Sequence, residues 1–349
     1  MTGEHSTSTP LRDVPVLVTG ATGKLGRHLV TTLLQEGARV AILTRDCRRA
    51  SELWPGAPID CRRADLTDAA SLNAVLDGID TLFHLASYSP APGEPDIYEA
   101  PAHWPITAVG TRNLTRAVAD SGVRCLVYAS SVKAMGDAVG ARGYPANEDD
   151  EPQPDTLYGR AKLDAEHSVL TLGLTRAIQV SVLRLPMVYG LKGQGNVARM
   201  IDAMARHRFP PWPRVDNRRS AVHVADAVRA LLMLARDPRA NGQVYLVTDG
   251  RQYSTRWLYE RIALALGRPI PAWVVPLWAL RFAAELGSWI ERVSGRAMPL
   301  NREGLSKLTG DAWYASEKLG RELEFVPEHD LEQDIPRMVS ESLAARPVD

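Results

Sequence analysis

Tyr158 and Lys162 stand four residues apart in Tyr158-Gly159-Arg160-Ala161-Lys162, a spacing that puts both side chains on one face of a helix. A phenol with an ordinary pKa of about 10 is a poor base at neutral pH. An ammonium beside it favours the phenolate and makes it useful for moving a proton. Earlier in the chain, Ser130-Ser131 offers a hydroxyl that can hold a substrate oxygen. The chemistry of such a trio is proton transfer at an alcohol or carbonyl. Tyr158 is assigned as acid and base, Lys162 as the group that sets its pKa, and Ser131 as the orienting donor, with Ser130 the alternative. A tyrosine and lysine at this spacing are common by chance, so the elements that hold them decide the reading.

Those elements repeat. Val14 to Thr19, Arg39 to Leu43, Thr81 to Leu85 and Cys125 to Ala129 read as apolar strands. Helical patterns lie between them: Arg27 to Glu36, one near Ser71 to Leu76, and Trp104 to Ser121. Strands separated by single helices imply parallel pairing with right-handed crossovers. The fold class is doubly wound α/β. Asp155 to Leu172, carrying Tyr158 and Lys162, is a predicted helix following the fourth such strand, whose end holds Ser130-Ser131. Gln179 to Arg184 is a further strand. Beyond it the sequence predicts helices over Asn196 to Arg206, Val222 to Ala235 and Thr255 to Ala265. His207 to Val215 is a Pro- and Trp-rich loop, and Val244 to Val247 a strand. The expected organisation is a disordered leader (1–13), a nucleotide-binding core (14–185), a smaller lobe (186–343) with segments returning to the core, and a flexible tail (344–349).

Directly after the first strand comes Gly20-Ala21-Thr22-Gly23-Lys24-Leu25-Gly26, opening the first helix. The first glycine permits a tight turn, the second a close approach to a pyrophosphate, and the third close helix-strand packing. The helix N-terminus presents unpaired N–H groups to the anion. The turn predicts a dinucleotide, and hence hydride transfer beside the Ser/Tyr/Lys trio. The second strand ends Leu43-Thr44-Arg45, with Asp46 next. Arg45, helped by Arg48 or Arg49, suits either a 2′-phosphate or a solvated surface, so NAD and NADP both stay open. Asp65-Leu66 is a candidate cap for the adenine ring.

The 349 residues carry 41 Lys plus Arg against 41 Asp plus Glu, which argues against nucleic-acid binding. Three cysteines, Cys47, Cys61 and Cys125, form no metal-ligand pair and no evident disulfide framework, so a reducing, cytoplasmic setting is expected. No apolar run reaches the length of a membrane span. Eight Trp against four Phe is an unusual balance. Trp212, Trp273, Trp278 and Trp289 fall in the second half. They are read mostly as core, with Trp212, Trp273 and Trp278 also suited to an apolar substrate entrance or a membrane surface. His84 and His223 are read as structural or cofactor-wall residues, and no metal site is expected.

The ordered set TGATGKLG (19–26), His84-Leu85-Ala86, GTRNL (110–114), YASS (128–131), YGRAK, RLPMVYG (184–190) and RRSAVHVADAVRAL (218–231) resembles the extended short-chain dehydrogenase/reductases, in their NAD-dependent epimerase/dehydratase branch. The resemblance implies a Rossmann sheet with a mainly helical substrate-binding lobe. It implies Ser131, Tyr158 and Lys162 as catalytic. It places the cofactor against Gly20, Thr22, Gly23, Lys24, Leu25, Gly26, Arg45, Asp65, Leu66, Leu85, Ala86, Ser87 and Ala129, with Pro186 behind the nicotinamide. Asn196 and Arg219 would lie at a substrate diphosphate, and Met187 at the sugar. A homodimer through the helices Trp104 to Ser121 and Asp155 to Leu172 is implied too.

Four departures bear on the substrate: Thr44 for an acidic ribose ligand, Thr107 and Met187 for asparagines, and Met135 for a tyrosine. Val132-Lys133 stands where a 4,6-dehydratase has an acid pair, which disfavours dehydration; Lys133 is read as facing solvent. The expected activity is C4 epimerisation of a nucleotide or lipid-diphosphate sugar. The alternatives are net oxidation or reduction of another alcohol or ketone, steroid-like ones included, and a non-catalytic dinucleotide binder.

Overall fold

The structure is a computed structural model describing residues 11–90, 97–190, 195–294, 298 and 300–344, without the side chain of residue 303. Of the expected leader and tail, only 11–13 and 344 lie within the described residues. In chain order the elements are β1 (Pro15–Thr19), α1 (Lys24–Gln35), β2 (Arg39–Thr44), α2 (Cys47–Leu53), β3 (Asp60–Arg63), β4 (Thr81–His84), α3 (Gly110–Ala119), β5 (Cys125–Ser131), α4 (Leu157–Thr175) and β6 (Gln179–Leu185). There follow β7 (Met187–Tyr189), α5 (Asn196–Ala205), β8 (Arg219–His223), α6 (Val224–Arg236), β9 (Gln243–Leu246), β10 (Gln252–Tyr253), α7 (Thr255–Ala265), α8 (Leu277–Ser294), α9 (Arg302–Thr309), α10 (Glu317–Leu323) and α11 (Leu331–Ala344).

The main sheet has the order β3-β2-β1-β4-β5-β6-β9 and every pairing in it is parallel. Both faces are covered, which is why its central strands read as unbroken apolar runs rather than alternating ones. Along β1, Val16 and Val18 pack on one face with Leu29 and Leu33 of α1 and Val228 and Leu231 of α6. Leu17 packs on the other with Leu114 and Val118 of α3 and Ala165 and Val169 of α4. The strand order reverses between β1 and β4, and ligands of open α/β sheets bind outside the strand ends at such a point.

Several sequence expectations change here. The short stretch before Asp65 is a paired strand, so Ser130-Ser131 ends the fifth strand, not the fourth. The helix expected near Ser71 consists of two 3-10 turns. The helix from Trp104 opens with a π-helical stretch, Trp104–Val109, before α3. The helix placed at Val222 starts at Val224, because Val222 and His223 finish β8. The second lobe also contains a three-stranded sheet, β10-β8-β7, two of whose strands are too short for period-2 alternation to register. Around it a separate core gathers Met200 and Ile201 from α5, Leu258 and Ile262 from α7, Leu280 and Ala284 from α8, and Ile335 and Val339 from α11. Trp212 is buried there, 2% exposed, and lines no entrance.

Cys47 and Cys61 are joined in a disulfide, with Cα atoms 5.9 Å apart, against the expectation of three separate thiols. Parallel pairing of β2 with β3 brings the start of α2 beside Cys61, a proximity that the cysteine spacing does not show. Cys125 stays a free, buried thiol.

Between β5, α4 and β6 lies a buried ion pair. Arg184 donates to Glu166 at 2.7 Å, with the two side chains 4% and 1% exposed, and the Ser130 hydroxyl donates to Glu166 at 2.5 Å. Removing one partner strands a buried charge, whereas removing both does not. Arg184→Met is expected to cost about 3–5 kcal/mol in urea unfolding, and Glu166→Leu with Arg184→Met to recover most of that loss.

Candidate active site

Successive strand residues point to opposite faces, and this separates the two serines. Ser130 is buried against Glu166, which removes it as the orienting donor. Ser131, at the last position of β5, opens into a cleft, where its Oγ also accepts from the Lys133 amide at 3.2 Å. The start of α4 is pressed against that turn. A Cβ added to Gly159 would lie 2.3 Å from the Lys133 carbonyl oxygen. Thr156 caps the helix by accepting from the Gly159 amide at 3.1 Å. The Tyr158 amide donates to the Tyr98 carbonyl at 2.9 Å. These contacts bring Tyr158 into the same cleft as Ser131. Burial pushes the Tyr158 phenol above its ordinary value, and the Ser131 hydroxyl works the other way.

One turn further, Lys162 is 3% exposed. Its ammonium donates to the Ala129 carbonyl at 2.9 Å and sits 4.8 Å from the centre of the Tyr128 ring. Burial lowers its pKa to about 8, against the opposing pull of the Glu166 carboxylate. His84 stacks on Tyr128 with ring centres 5.2 Å apart. His84 Nδ1 meets the Thr19 hydroxyl at 2.6 Å and Nε2 the Thr111 hydroxyl at 2.9 Å. Thr111 itself donates to the Thr107 carbonyl, so the imidazole is the donor at Nε2. Burial first, and then the Lys162 charge, depress its pKa to about 3.

The glycine turn lies where β1 and β4 diverge. Gly20 has φ of +70°, and a Cβ there would come 2.7 Å from the Ala86 amide nitrogen; at Gly26 it would come 2.2 Å from the Gly20 carbonyl oxygen. Thr22 accepts from Arg27 Nε, Gly23 is exposed at the helix start, and Leu25 packs on the core below. The turn is therefore a backbone cradle that any side chain would fill, as a pyrophosphate site requires. Leu85, Ala86 and Ser87 line up after β4; the Ala86 amide donates to Thr19 Oγ1, and Ser87 bonds Thr107. At the adenine end, Asp46 caps α2 by accepting from the Arg48 and Arg49 amides, both at Oδ1. Arg45 stands at the strand exit, exposed like Asp46. Asp65 accepts from Thr67, which lowers its pKa, and Leu66 packs beneath Gly110.

Ser131, Tyr158, Pro186, Met187, Asn196, Arg219 and Lys24 line one cleft of about 690 Å³, within the range of small-ligand sites. Arg219 donates to the Gly310 carbonyl at 3.0 Å. Burial lowers its pKa. Lys24 is lowered too, by desolvation in the cleft and by Arg199.

Some cleft residues escape sequence reading. Tyr98 stacks on Tyr158 with ring centres 5.6 Å apart, and His103 approaches it at 4.9 Å. Both belong to the segment before α3, which carries no motif. Lys307, from α9, lies 4.0 Å from the Tyr98 ring centre, and Lys133 4.8 Å from it. Lys133 therefore faces the cleft, paired with Asp137, and not solvent, because the 3-10 turn after Ser131 folds it inward. Trp273 and Trp278 lie outside the cleft. Among the described residues one group, Asp226, Glu328 and His329, has metal-ligand spacing. Asp226, however, already accepts from Arg229, from the amides of Glu328 and His329, and is met by His329 Nδ1. These contacts make it a structural knot between α6 and the segment before α11.

A parallel sheet with a glycine cradle at its switch point and a Ser/Tyr/Lys trio one strand over defines a dinucleotide-dependent oxidoreductase architecture. The comparison with known sequences makes this particular: the pattern of the NAD dependent epimerase/dehydratase family matches residues 16–248, and the chain belongs to that family. Among curated proteins it is similar to a UDP-glucose 4-epimerase of Vibrio cholerae, 25% identical over 80% of this chain and 85% of that one. It is also similar to a 3 beta-hydroxysteroid dehydrogenase/Delta 5→4-isomerase of Mycobacterium tuberculosis, 28% identical over 79% and 78%. The fold matches that of the UDP-glucose 4-epimerase of Thermotoga maritima, with TM-score 0.75, 20% identity, and coverage of 95% of this chain and 99% of that one.

Two outcomes follow from this geometry. Gly159→Ala displaces the start of α4, so kcat should fall by about tenfold or more while cofactor affinity, measured by titration, stays within about twofold. His84 has its pKa at about 3 when folded and an ordinary value of 6.5, so the unfolded chain takes up the proton first as pH falls. Its contribution is fully present above about 6.5 and is lost as pH falls towards 3. Denaturant unfolding across that window should show a slope that His84→Asn reduces by about 1 kcal/mol per pH unit.

Proposed function

We propose that the protein interconverts a secondary alcohol and its ketone with NAD or NADP, and that the reaction is C4 epimerisation of a nucleotide sugar. The observation that carries this reading is a single cleft holding the Ser131–Tyr158 pair together with the cations Arg219, Lys133 and Lys307. The first pair suits a carbinol, and the cations suit a diphosphate. The glycine cradle, Asp65 and Arg45 would hold the dinucleotide, with Pro186 and Ala129 towards its nicotinamide end. When bound, the nicotinamide supplies the hydride acceptor and donor.

The remaining steps belong to the chain. Ser131 Oγ donates to the substrate oxygen and fixes its position. Tyr158 Oη takes the hydroxyl proton as the carbonyl forms and returns it as the carbonyl is reduced. The Lys162 ammonium, fixed by Ala129, stabilises the phenolate between those steps. Arg219 and Lys133 hold the anionic end of the substrate, leaving the sugar ring room to present its other face.

A second reading, net oxidation or reduction of a less polar alcohol or ketone, is favoured by the apolar wall of Val132, Leu185, Met187 and Val188 in the same cleft. The two readings separate in one experiment. Protein that retains stoichiometric cofactor and equilibrates a UDP-glucose/UDP-galactose pair, with no net change in nicotinamide absorbance, is an epimerase. Net turnover of free cofactor by a non-nucleotide ketone, with no UDP-sugar conversion, would overturn that assignment. Tyr158→Phe should lower kcat about a thousandfold under either reading while the cofactor stays bound, and Gly26→Val should lose the cofactor itself.

A further inference from the structure

Helix α8 is apolar on two sides. Leu280, Ala284 and Gly287 face the second core, while Trp278, Phe282, Leu286, Trp289 and Val293 are 72, 70, 48, 60 and 70% exposed. At 100° per residue these five fall within one arc of the helix surface. Trp273, in the approach to the helix, is 64% exposed as well. Water-exposed Trp and Phe at this density need a partner. Along one edge of the arc lie Arg281 and Arg292, neither ion-paired among the described residues. The acid between them on that edge, Glu285, is paired with Arg302 at 3.0 Å, and Glu291 is turned inward to Asn301 and the Met298 amide.

We infer that α8 docks on a membrane surface bearing anionic lipids. The apolar arc would lie in the headgroup-acyl boundary, and Arg281 and Arg292 would lie at the phosphates. Trp and Phe beside arginines form the composition that interfacial helices use, and arginine stems can lie along the apolar zone while their heads reach the phosphates. No helix among the described residues is long and apolar enough to cross a membrane, so the contact is one of lying on the surface. The charge edge favours this occupant over a second copy of the chain, because two such faces meeting would bring arginines together.

The helix is also fixed to the cleft. A Cβ on Gly287 would lie 2.0 Å from the Leu300 carbonyl oxygen, Ser288 Oγ accepts from the Arg302 amide at 2.9 Å, and Asn301 caps α9. Since α9 supplies Ser306 and Lys307 to the cleft wall, docking would hold the mouth of the cleft near the lipid headgroups. This inference does not depend on which substrate the cleft takes.

The test is flotation of the full chain with vesicles of phosphatidylcholine alone and of phosphatidylcholine with phosphatidylglycerol, alongside sedimentation velocity without lipid. The wild type should float with the anionic vesicles and its tryptophan emission should shift to shorter wavelength. Trp278→Ser/Phe282→Ser/Trp289→Ser should lower the partition coefficient about tenfold or more, and Arg281→Glu/Arg292→Glu should abolish the preference for anionic vesicles. Circular dichroism and cofactor binding of both variants should match the wild type, since the changed side chains are exposed. Wild type that does not float with either vesicle, or binding that survives the triple substitution, overturns the inference. So does a self-association in solution that the triple substitution abolishes without any vesicle binding in the wild type.

Discussion

A lysine ammonium buried beneath the end of a strand must be satisfied on every side, and much of the site follows from how Lys162 is satisfied. The Ala129 carbonyl takes one of its protons and the Tyr128 ring lies against it. The Tyr128 ring in turn stacks with His84. His84 is neutral because burial and the lysine charge make a second cation costly. Its two nitrogens are held by Thr19 and Thr111, and Thr19 is the residue immediately before Gly20. Lys162 and the turn that would receive a pyrophosphate are thus joined through a chain of ring contacts and hydrogen bonds crossing β1, β4 and β5, along which the Tyr128 hydroxyl is buried without a hydrogen-bond partner.

This dependence explains which parts of the molecule were legible in the sequence. The glycine turn is legible because backbone must approach backbone there, and only glycine allows it. Tyr158 and Lys162 are legible because helical periodicity fixes their relation, and the choice of Ser131 over Ser130 follows from strand alternation once the strand is known to extend that far. The parallel order is readable from alternating strands and helices. Tyr98, His103 and Lys307 are not legible, since nothing local ties a loop or a distant helix to Tyr158; only tertiary packing does. The inward direction of Lys133 is not legible either, because the 3-10 turn after Ser131 sets it. β7 and β10 are three and two residues long, below the length at which alternation can be told from chance. β8, Arg219–His223, has four of its five residues buried and runs straight into α6, so its apolar end reads as the start of that helix.

The second half of the chain divides its apolar residues between two uses that composition alone cannot separate. Trp212 sits inside the second core beside Phe209, ring centres 5.3 Å apart, and contributes to stability. Trp278 and Trp289 share a helix whose buried side is made of small residues and a leucine, leaving the large rings outside. The tryptophan excess is therefore two populations, told apart by which side of α8 or of the Pro-rich loop each ring occupies.

The link between Cys47 and Cys61 has a mechanical consequence. It ties the first residue of α2 to β3, so the two elements flanking the adenine end cannot part without breaking a covalent bond. Asp46 is fixed at the same place by its cap on α2. The turn that carries Arg45 and Asp46 from β2 into α2 is thus bounded by a paired strand on one side and by a covalent tie on the other.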